Sequence, residues 1–283
     1  MADPTFDRAR FTERLGTRVL GRHLVAHAEV ESTNDAAWEA LALGAPDGTV
    51  IVADAQTRGR GRAGRSWHLA PGKGLALSAL LVPGGERRAL GVLPLGAGLA
   101  LARALDRLGA RAELKWPNDL RLDGRKLAGI LCETRGAGAG SGPASGGCPA
   151  AGEAVVIGVG VNVLERREDF PAELREVSTS LALAGRTLDR ETVAAEFLNA
   201  LEPLWATLQE GDRAAVIEAW RARADFWGRP VRARTAAGVL EGRARTLDPD
   251  GGLVLALADG REVTVVAGDL DGGAAADALP ETP

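Results

Sequence analysis

The sequence is poor in the side chains that build zinc sites and disulfides, with two cysteines and three histidines among 283 residues. Cys132 and Cys148 are not arranged as C-x-x-C, and too few histidines accompany them to complete a zinc ligand set. These shortages argue against a zinc-binding or disulfide-stabilised protein. We expect a reducing environment and no metal site built by the protein alone.

Long apolar runs and targeting segments are also missing. The most apolar window, residues 89–102, is too short to cross a bilayer and contains Pro94 and several glycines. The start, Met1-Ala2-Asp3-Pro4, has an early acidic residue and no apolar core, which argues against a secretory signal. The sequence therefore predicts a cytoplasmic protein without a membrane span.

The chain lacks the net positive charge typical of nucleic-acid-binding domains, because its formal net charge is −4 and its pI is about 5.6. Basic residues nevertheless concentrate at residues 58–67, called the arginine loop below. Its glycines give a mobile backbone and its like charges repel one another, so we expect it to order only around an anion with several oxygens, such as a phosphate. Its four arginines are Arg58, Arg60, Arg62 and Arg65.

The arginine loop also matches G-x-G-x-x-G at Gly59, Gly61 and Gly64, after an apolar run. A dinucleotide site of this kind needs small residues between the glycines and a helix that opens inside the motif. Here arginines stand between the glycines, and residues 67–72 are typical of a turn. The pattern therefore disfavours a dinucleotide-binding interpretation.

Apolar periodicity predicts an α+β domain over residues 1–227. Ser32 and Asp35 are expected to form a capping box at the first helix, and Asp123-Gly124 is expected to form a hairpin turn. Trp205, Trp220 and Trp227 are expected in the core. Helices are predicted at residues 34–43, 90–108, 191–209 and 213–226, and strands at 49–53, 75–82, 113–116, 120–122, 126–133 and 154–163. The hairpin-linked strands indicate a mixed or antiparallel sheet with flanking helices.

The pattern changes after residue 227. Four short strands separated by Asp- and Gly-rich turns predict a small β-barrel over residues 228–270, and residues 271–283 look like a loose tail. Residues 135–152 are almost entirely small residues, which predicts a disordered insertion with Cys148 as an exposed thiol. The predicted strands of the C-terminal segment are residues 231–235, 239–247, 253–257 and 262–266.

Six short strings follow one another along the chain. They are Glu31-Ser32-Thr33-Asn34-Asp35, Ala53-Asp54-Ala55-Gln56, the arginine loop, Lys115-Trp116-Pro117-Asn118-Asp119-Leu120, Arg125-Lys126-Leu127-Ala128-Gly129-Ile130 and Ile157-Gly158-Val159-Gly160-Val161-Asn162-Val163. In this order and spacing they resemble the catalytic domain of the biotin protein ligases, and the resemblance runs from about residue 27 to about residue 270.

The resemblance implies an SH3-like fold for the C-terminal barrel and a two-step ligase reaction. Biotin and ATP would form biotinyl-5′-AMP and pyrophosphate. The biotinyl group would then pass to a lysine of a biotin carboxyl carrier protein or domain of a biotin-dependent carboxylase. Mg²⁺ would bind with ATP, and no DNA or membrane partner is implied. Because about twenty residues precede the first motif, the DNA-binding domain of the regulatory members is not expected. A homodimer stays open.

The resemblance also assigns roles to individual residues. Two anions must meet during adenylation, so the reaction needs cationic donors that screen them. The implied catalytic residues are Arg62, Lys115, Asp119 and Lys126. The implied biotin-binding residues are Ser32, Thr33, Asn34, Gln56, Arg60, Gly61, Arg62 and Lys126. The implied ATP- or adenylate-binding residues are Arg62, Trp67, Asn118, Gly129 and Asn162.

Several alternatives remain open at this point. Asp119 is expected either to orient the acceptor amine and take its proton or to help hold Mg²⁺, and it could equally close a turn. Ser32 and Thr33 also suit a plain helix N-cap, and Trp67 suits core packing. A lipoate or octanoate ligase of the same superfamily is the first rival function. A nucleic-acid- or nucleotide-binding regulator that uses the arginine loop as a phosphate patch is the second.

Overall fold

The computed structural model describes residues 5–83, 91–135 and 154–271. The predicted insertion falls outside these ranges except for Arg135, and so does Cys148. The predicted C-terminal tail lies beyond them apart from Asp271. In the described part of the chain, no helix is long and apolar enough to span a membrane.

A seven-stranded sheet forms the centre of the larger unit. Its order is β1-β2-β3-β7-β6-β5-β4, in which β1 and β2 are parallel and every other neighbouring pair is antiparallel. The mixed sheet expected from the sequence is confirmed. The strands are β1 (Leu24–Val30), β2 (Val50–Gln56), β3 (Leu75–Leu81), β4 (Glu113–Lys115), β5 (Asp119–Leu122), β6 (Arg125–Arg135) and β7 (Ala154–Val161).

The hairpin between β5 and β6 is tight, as predicted. Asp123 and Gly124 have φ values of 52° and 73°, which is the left-handed backbone that such a two-residue turn requires. The register of the two strands shifts between Leu120 and Arg121. Lys126 therefore leaves a short, well-defined turn at a bulge, which is a common device for directing a side chain toward a site.

Within the described ranges, five α-helices accompany the sheet: α1 (Arg8–Arg14), α2 (Thr33–Ala42), α3 (Leu93–Arg107), α4 (Arg190–Gln209) and α5 (Arg213–Arg223). Helices α3 and α4 pack against each other and are largely buried. Trp205 and Trp220 are buried as expected, and Trp227 is partly buried against the core. The capping-box prediction is wrong, because the extended Ser32 is the N-cap of α2 but its side chain makes no capping hydrogen bond.

A five-stranded antiparallel sheet follows α5, which confirms the small C-terminal β-structure. Among the described residues, the pairings join its strands in one row, β11-β10-β9-β8-β12, without the pairing of β11 with β12 that would close a barrel, so the closed barrel stays a prediction. Strand β12 was not expected, and β10 and β11 each end one residue earlier than predicted. The strands are β8 (Pro230–Thr235), β9 (Gly238–Leu247), β10 (Leu253–Ala256), β11 (Glu262–Val265) and β12 (Asp269–Asp271).

The apolar interior is shared between the two units. One cluster of buried side chains includes Leu101 of α3 and Trp116 after β4 as well as Leu255 and Leu270 of the C-terminal sheet. Trp116 also donates a hydrogen bond from Nε1 to the carbonyl oxygen of Gly251, at 3.0 Å. The division at residue 227 stays a prediction based on pattern, since the packing continues across it.

Candidate active site

A cavity of about 250 Å³ lies between the arginine loop and one face of the central sheet. The start of α2, the facing parts of β6 and β7, and residues 170–178 complete its wall. Of the residues that the sequence assigned to the site, Lys115 alone does not line the cavity. Those that do are Ser32, Thr33, Asn34, Gln56, Arg60, Gly61, Arg62, Trp67, Asn118, Asp119, Lys126, Gly129 and Asn162.

One end of the cavity carries uncharged polar side chains joined by hydrogen bonds. Gln56 Oε1 accepts from the Thr33 backbone N–H at 2.9 Å and lies 3.2 Å from Thr33 Oγ1. Ser78 Oγ lies 2.8 Å from Thr33 Oγ1 and 2.6 Å from Asn34 Oδ1. All of these groups sit on rigid elements, so they form a fixed pattern of donors and acceptors.

Sequence reasoning missed Ser78, because it stands alone inside the apolar run of β3 and belongs to none of the quoted motifs. It is fully buried, and a buried hydroxyl needs partners. A neighbouring constraint is Gly158 of β7, where a Cβ would lie 2.2 Å from Asn34 Oδ1. Only glycine at this position leaves room for the Asn34 amide. The single polar residue of β3 was the available signal for this part of the site.

The arginine loop folds back on itself at the cavity mouth. Trp67 N–H donates to the Gly59 carbonyl oxygen at 2.9 Å, and Gly61 N–H donates to the Arg65 carbonyl oxygen at 2.7 Å. Its tip is one 3₁₀ turn, Arg62–Gly64, in which Ala63 has a φ of 54°. No longer helix opens inside the glycine motif, in agreement with the rejection of a dinucleotide site.

The repulsion argument assumed that the arginines of this loop have no partners. The structure differs from this assumption. Each arginine has a carboxylate or amide neighbour, which offsets the repulsion. Loop mobility without ligand stays a prediction. The contacts are Arg58 with Glu31 at 2.9 Å, Arg60 with Asp35 at 2.9 Å and with Glu133 at 3.1 Å, Arg62 with Asn118 at 3.1 Å, and Arg65 with Asp269 at 3.0 Å.

The other end of the cavity is charged. Lys126 Nζ lies 2.8 Å from Asp119 Oδ1, and the Asp119 side chain is almost fully buried. Residues 177–179 of the cavity wall hold the backbone of Lys126. Its N–H donates to the Val177 carbonyl oxygen, and its carbonyl oxygen accepts from the Thr179 N–H. Asn118 is fixed in turn by a hydrogen bond from its Nδ2 to the Ile130 carbonyl oxygen at 2.7 Å. A cation and a carboxylate are therefore held beside a fixed amide.

Lys115 lies near this charged end but outside the cavity wall. Lys115 lies on β4 and is the cross-strand partner of Asp119 on β5. Burial lowers the pKa of the Lys115 ammonium, and the nearby Arg121 lowers it further, while Asp119 acts in the opposite direction. Its catalytic role stays a prediction. The geometry limits that role to an electrostatic effect through Asp119 or to contact with a ligand that extends beyond the wall.

The indole of Trp67 lies against two facing glycines of the sheet. Gly129 of β6 and Gly160 of β7 are cross-strand partners. A Cβ at Gly160 would lie 2.3 Å from the Trp67 ring, and one at Gly129 would lie 3.2 Å from it. Trp67 Nε1 is buried without a hydrogen-bond partner, and Lys126 Nζ lies 5.6 Å from the ring centroid. In this structure Gly129 makes room for an indole, whereas the resemblance implied a contact with ATP or the adenylate.

Asn162 and Glu165 organise the wall that follows β7. Asn162 Nδ2 donates to the Thr179 carbonyl oxygen at 2.9 Å, so this amide already holds backbone. Glu165 is buried, and its Oε2 accepts from the Val163 N–H at 2.7 Å while Oε1 has no partner. Burial raises the pKa of the Glu165 carboxyl to about 7. The sequence analysis did not single out Glu165, because a lone glutamate outside the motifs carries no signal of burial.

Within the described ranges, no group of three or more histidine, cysteine, aspartate or glutamate side chains is placed to hold a metal ion. Asp119 is the carboxylate of the cavity wall, and it is already paired with Lys126. The donor set therefore does not fit a metal ion held by the protein alone.

Comparison with known proteins gives a consistent result. Residues 27–147 match the biotin/lipoate A/B protein ligase family, and residues 226–271 match the biotin protein ligase C-terminal domain. A biotin–[acetyl-CoA-carboxylase] ligase of Paracoccus denitrificans is 35% identical over 256 residues, which cover 87% of this chain and 99% of the relative. Its counterpart in Mycobacterium tuberculosis is 34% identical over 274 residues, which cover 94% and 95% of the two chains.

A solved structure supports the same relationship. The biotin protein ligase of Aquifex aeolicus, in complex with biotin and ATP, superposes with a TM-score of 0.71 at 26% identity, covering 88% of this chain and 98% of that one. The motif order, the mixed sheet, the C-terminal sheet and these similarities agree. The chain therefore belongs to the biotin protein ligase family.

Proposed function

We propose that this chain joins biotin to ATP to form biotinyl-5′-AMP and transfers the biotinyl group to a lysine of a biotin carboxyl carrier. One observation carries the proposal. A single cavity combines an uncharged hydrogen-bonding end, at Thr33, Asn34 and Gln56, with a cationic end at Arg62 and Lys126. This arrangement suits a ligand that is amide-like at one end and anionic at the other.

The uncharged end suits the ureido group of biotin. That group is planar, donates from two N–H groups and accepts at one oxygen, so it needs both kinds of partner within a small space. The Thr33 hydroxyl, the Asn34 amide and the Gln56 amide offer both. Because Ser78 and Gly158 restrict how these groups can turn, the pattern is prepared before a ligand arrives.

The cationic end suits adenylation. A carboxylate oxygen of biotin attacks the α-phosphorus of ATP, the new C–O–P linkage forms, and pyrophosphate leaves with the electrons of the broken P–O bond. Lys126 and Arg62 are placed to offset the negative charge of the two reactants. Arg62 approaches from the loop and Lys126 from the sheet, so the reacting centre would lie between a movable and a fixed cation.

Transfer requires the acceptor lysine as a free amine, which costs about 4 kcal/mol at neutral pH for an ordinary lysine. The amine nitrogen attacks the biotinyl carbonyl carbon, AMP leaves, and the amine loses a proton. In this proposal Asp119 is the wall carboxylate that orients this amine and receives its proton, while its contact with Lys126 holds it in place. In this proposal Mg²⁺ enters with the ATP phosphates, since the described residues offer no cluster of three or more metal-binding side chains.

The relatives named above act on acetyl-CoA carboxylase, so we propose the carrier of that enzyme as the protein partner. The family model also includes lipoate ligases. A lipoyl group has a dithiolane ring without hydrogen-bonding groups, and it would leave the Thr33–Asn34–Gln56 end unpaired. The hydrogen bonding at this end therefore favours biotin. The cytoplasm as compartment and a homodimer stay predictions.

The test is direct. The protein is incubated with ATP, Mg²⁺ and either biotin or lipoate, and release of pyrophosphate and formation of the acyl-adenylate are followed. We expect both products with biotin and at least a hundredfold less with lipoate, because a polar site rejects a ligand that leaves its groups unpaired. Addition of a carrier domain should then yield biotinylated carrier. Equal rates with the two acids would overturn the biotin assignment.

A further inference from the structure

The arginine loop makes a two-point contact with the C-terminal sheet. Arg65 Nη1 lies 3.0 Å from Asp269 Oδ2, and Arg65 Nη2 donates to Asp269 Oδ1 at 3.0 Å. Asp269 is the first residue of β12, where it pairs with Arg234 of β8. A parallel pair of hydrogen bonds between guanidinium and carboxylate fixes orientation as well as distance. The two residues are 204 positions apart, so this contact joins distant parts of the chain.

Arg65 also contacts the backbone of Arg62. Its Nε donates to the Arg62 carbonyl oxygen at 3.3 Å, across the 3₁₀ turn at the tip of the loop. The guanidinium of Arg65 thus lies between the backbone of Arg62 and the carboxylate of Asp269. Residues between Arg62 and Arg65 have no other side-chain anchor, since Ala63 and Gly64 offer no polar side chain.

Asp269 also acts on the charges of the site. Burial lowers the pKa of Arg62 and the neighbouring Arg65 lowers it further, whereas the Asp269 carboxylate opposes both effects. Asp269 acts in the same direction on Lys115. A carboxylate from the C-terminal sheet therefore relieves repulsion among the cations at and beside the cavity.

The other side of the loop is attached to the central unit. Arg60 contacts Asp35 of α2 at 2.9 Å and Glu133 of β6 at 3.1 Å. The loop is thus anchored on its first limb by the central sheet and on its second limb by β12. Breaking the second contact would leave the turn that carries Arg62 held on its own side by the Arg62–Asn118 hydrogen bond alone, while Arg60 keeps its partners.

We propose that Arg65 and Asp269 are positioning residues through which the C-terminal sheet holds the arginine loop over the cavity, so that the acyl-adenylate is retained until the acceptor lysine arrives. The inference rests on the proposed function. It gives the C-terminal sheet a part in retaining the intermediate. Neither Arg65 nor Asp269 was among the residues to which the resemblance assigned a role.

The test is a double-mutant cycle in the full-length protein with Asp269→Asn, Arg65→Gln and the two combined. The rate at which preformed biotinyl-AMP is lost to solution is measured after addition of excess unlabelled biotin. We expect each single change to raise this rate about two- to fivefold, the range given by an exposed ion pair, and the double change to add little more. The exchanged pair Arg65→Asp with Asp269→Arg should return the rate toward that of the wild type.

Two further measurements separate positioning from loss of fold. The affinity for biotin alone should fall less than the retention of the adenylate, and the melting temperature should stay unchanged, because Thr33, Asn34 and Gln56 are held by contacts that involve neither Arg65 nor Asp269. The matched control is Glu241→Gln, which removes another exposed ion pair of the same sheet, with Arg232 at 2.8 Å, and it should leave retention unaltered. Trypsin should cut within the arginine loop faster in Asp269→Asn than in this control.

The outcomes distinguish this proposal from the proposed function. Additive effects in the double mutant, or single variants that retain the adenylate like the wild type, would overturn the role of the pair. A wild-type protein that forms no biotinyl-AMP would instead refute the proposed function. The trypsin measurement would then still decide whether Asp269 holds the loop.

Discussion

Gly129 and Gly160 face each other across neighbouring antiparallel strands, and together they form a flat surface on which the Trp67 indole rests. The tryptophan closes the arginine loop on one side and covers the sheet on the other. Among the described residues, the buried Trp67 Nε1 has no hydrogen-bond partner, and the ring packs closely against the sheet. The space left by two missing side chains is thus part of the site.

The first prediction concerns this surface. Gly160→Ala would place a methyl group within 2.3 Å of the indole, so Trp67 must move, and we expect the KM for ATP to rise roughly tenfold, equivalent to about 1.4 kcal/mol. Gly129→Ala, at 3.2 Å, should have a smaller effect. The matched control is Gly96→Ala in α3, where the nearest atom lies 3.5 Å away. Unchanged ATP kinetics in Gly160→Ala would show that the indole position does not matter.

The second prediction concerns Ser78. Ser78→Ala removes the hydroxyl that contacts Thr33 and Asn34, and it leaves buried polar atoms without a partner. Such a loss costs on the order of 1–3 kcal/mol, so we expect biotin affinity to fall by about tenfold or more with adenylation of bound biotin little altered. Isothermal titration with biotin measures this. Thr207→Ala, which removes an exposed hydroxyl in α4, is the control. Wild-type biotin affinity in Ser78→Ala would contradict the positioning role.

The third prediction concerns Lys126. Lys126→Ala removes the fixed cation of the cavity wall, and single-turnover formation of biotinyl-AMP should fall by roughly a hundredfold or more. The free energy of unfolding should change little more than it does when a partly exposed lysine elsewhere is replaced by alanine. Lys73→Ala provides that comparison, since Lys73 also pairs with an aspartate, Asp169 at 2.5 Å, but does not line the cavity. Adenylation at the wild-type rate in folded Lys126→Ala would remove Lys126 from the site.

The fourth prediction is a pH dependence of stability caused by Glu165. Burial raises the pKa of this carboxyl from its ordinary value of 4.5 to about 7, so the folded state binds a proton more tightly than the unfolded state does. The stabilisation that this tighter proton binding adds to the free energy of unfolding is therefore fully present below about pH 4.5, and it is lost as the pH rises to about 7. Glu165→Gln has no such proton to lose. The melting temperature of Glu165→Gln, relative to that of the wild type, should therefore be higher at pH 8 than at pH 5.

Differential scanning calorimetry at both pH values measures this difference. The control is Glu168→Gln, the same change at an exposed glutamate three residues further along the chain. A difference between Glu165→Gln and the wild type that stays constant from pH 5 to pH 8 would mean that the Glu165 carboxyl does not titrate in this range.

The sheet could be predicted where its strands are apolar runs bounded by turn residues. Strands β2, β3 and β7 are of this kind, and the Asp123-Gly124 turn fixed the β5–β6 hairpin in advance. Strand β12 could not be predicted, because Asp-Leu-Asp has neither length nor alternation and pairs only through its neighbour β8. Pairing of this kind depends on distant residues rather than on local pattern.

The site was predictable to the extent that its residues lie in motifs. Thr33, Gln56 and Lys126 were named from the sequence and line one cavity. Ser78 and Asp269 were not named, because each acts by touching a residue far away in the chain. Their importance is a property of the three-dimensional contact, and a single sequence does not display such contacts.

Trp116 joins the two units more firmly than the pattern of the sequence suggests. Its ring is buried in the common core, and its N–H is bound by the turn at Gly251. Asn118 and Asp119, two and three residues further along the chain, line the cavity. Removal of the C-terminal sheet would therefore take away the hydrogen-bond acceptor of Trp116 and open the common core close to the cavity wall. The C-terminal sheet thus supports the active site as well as the fold.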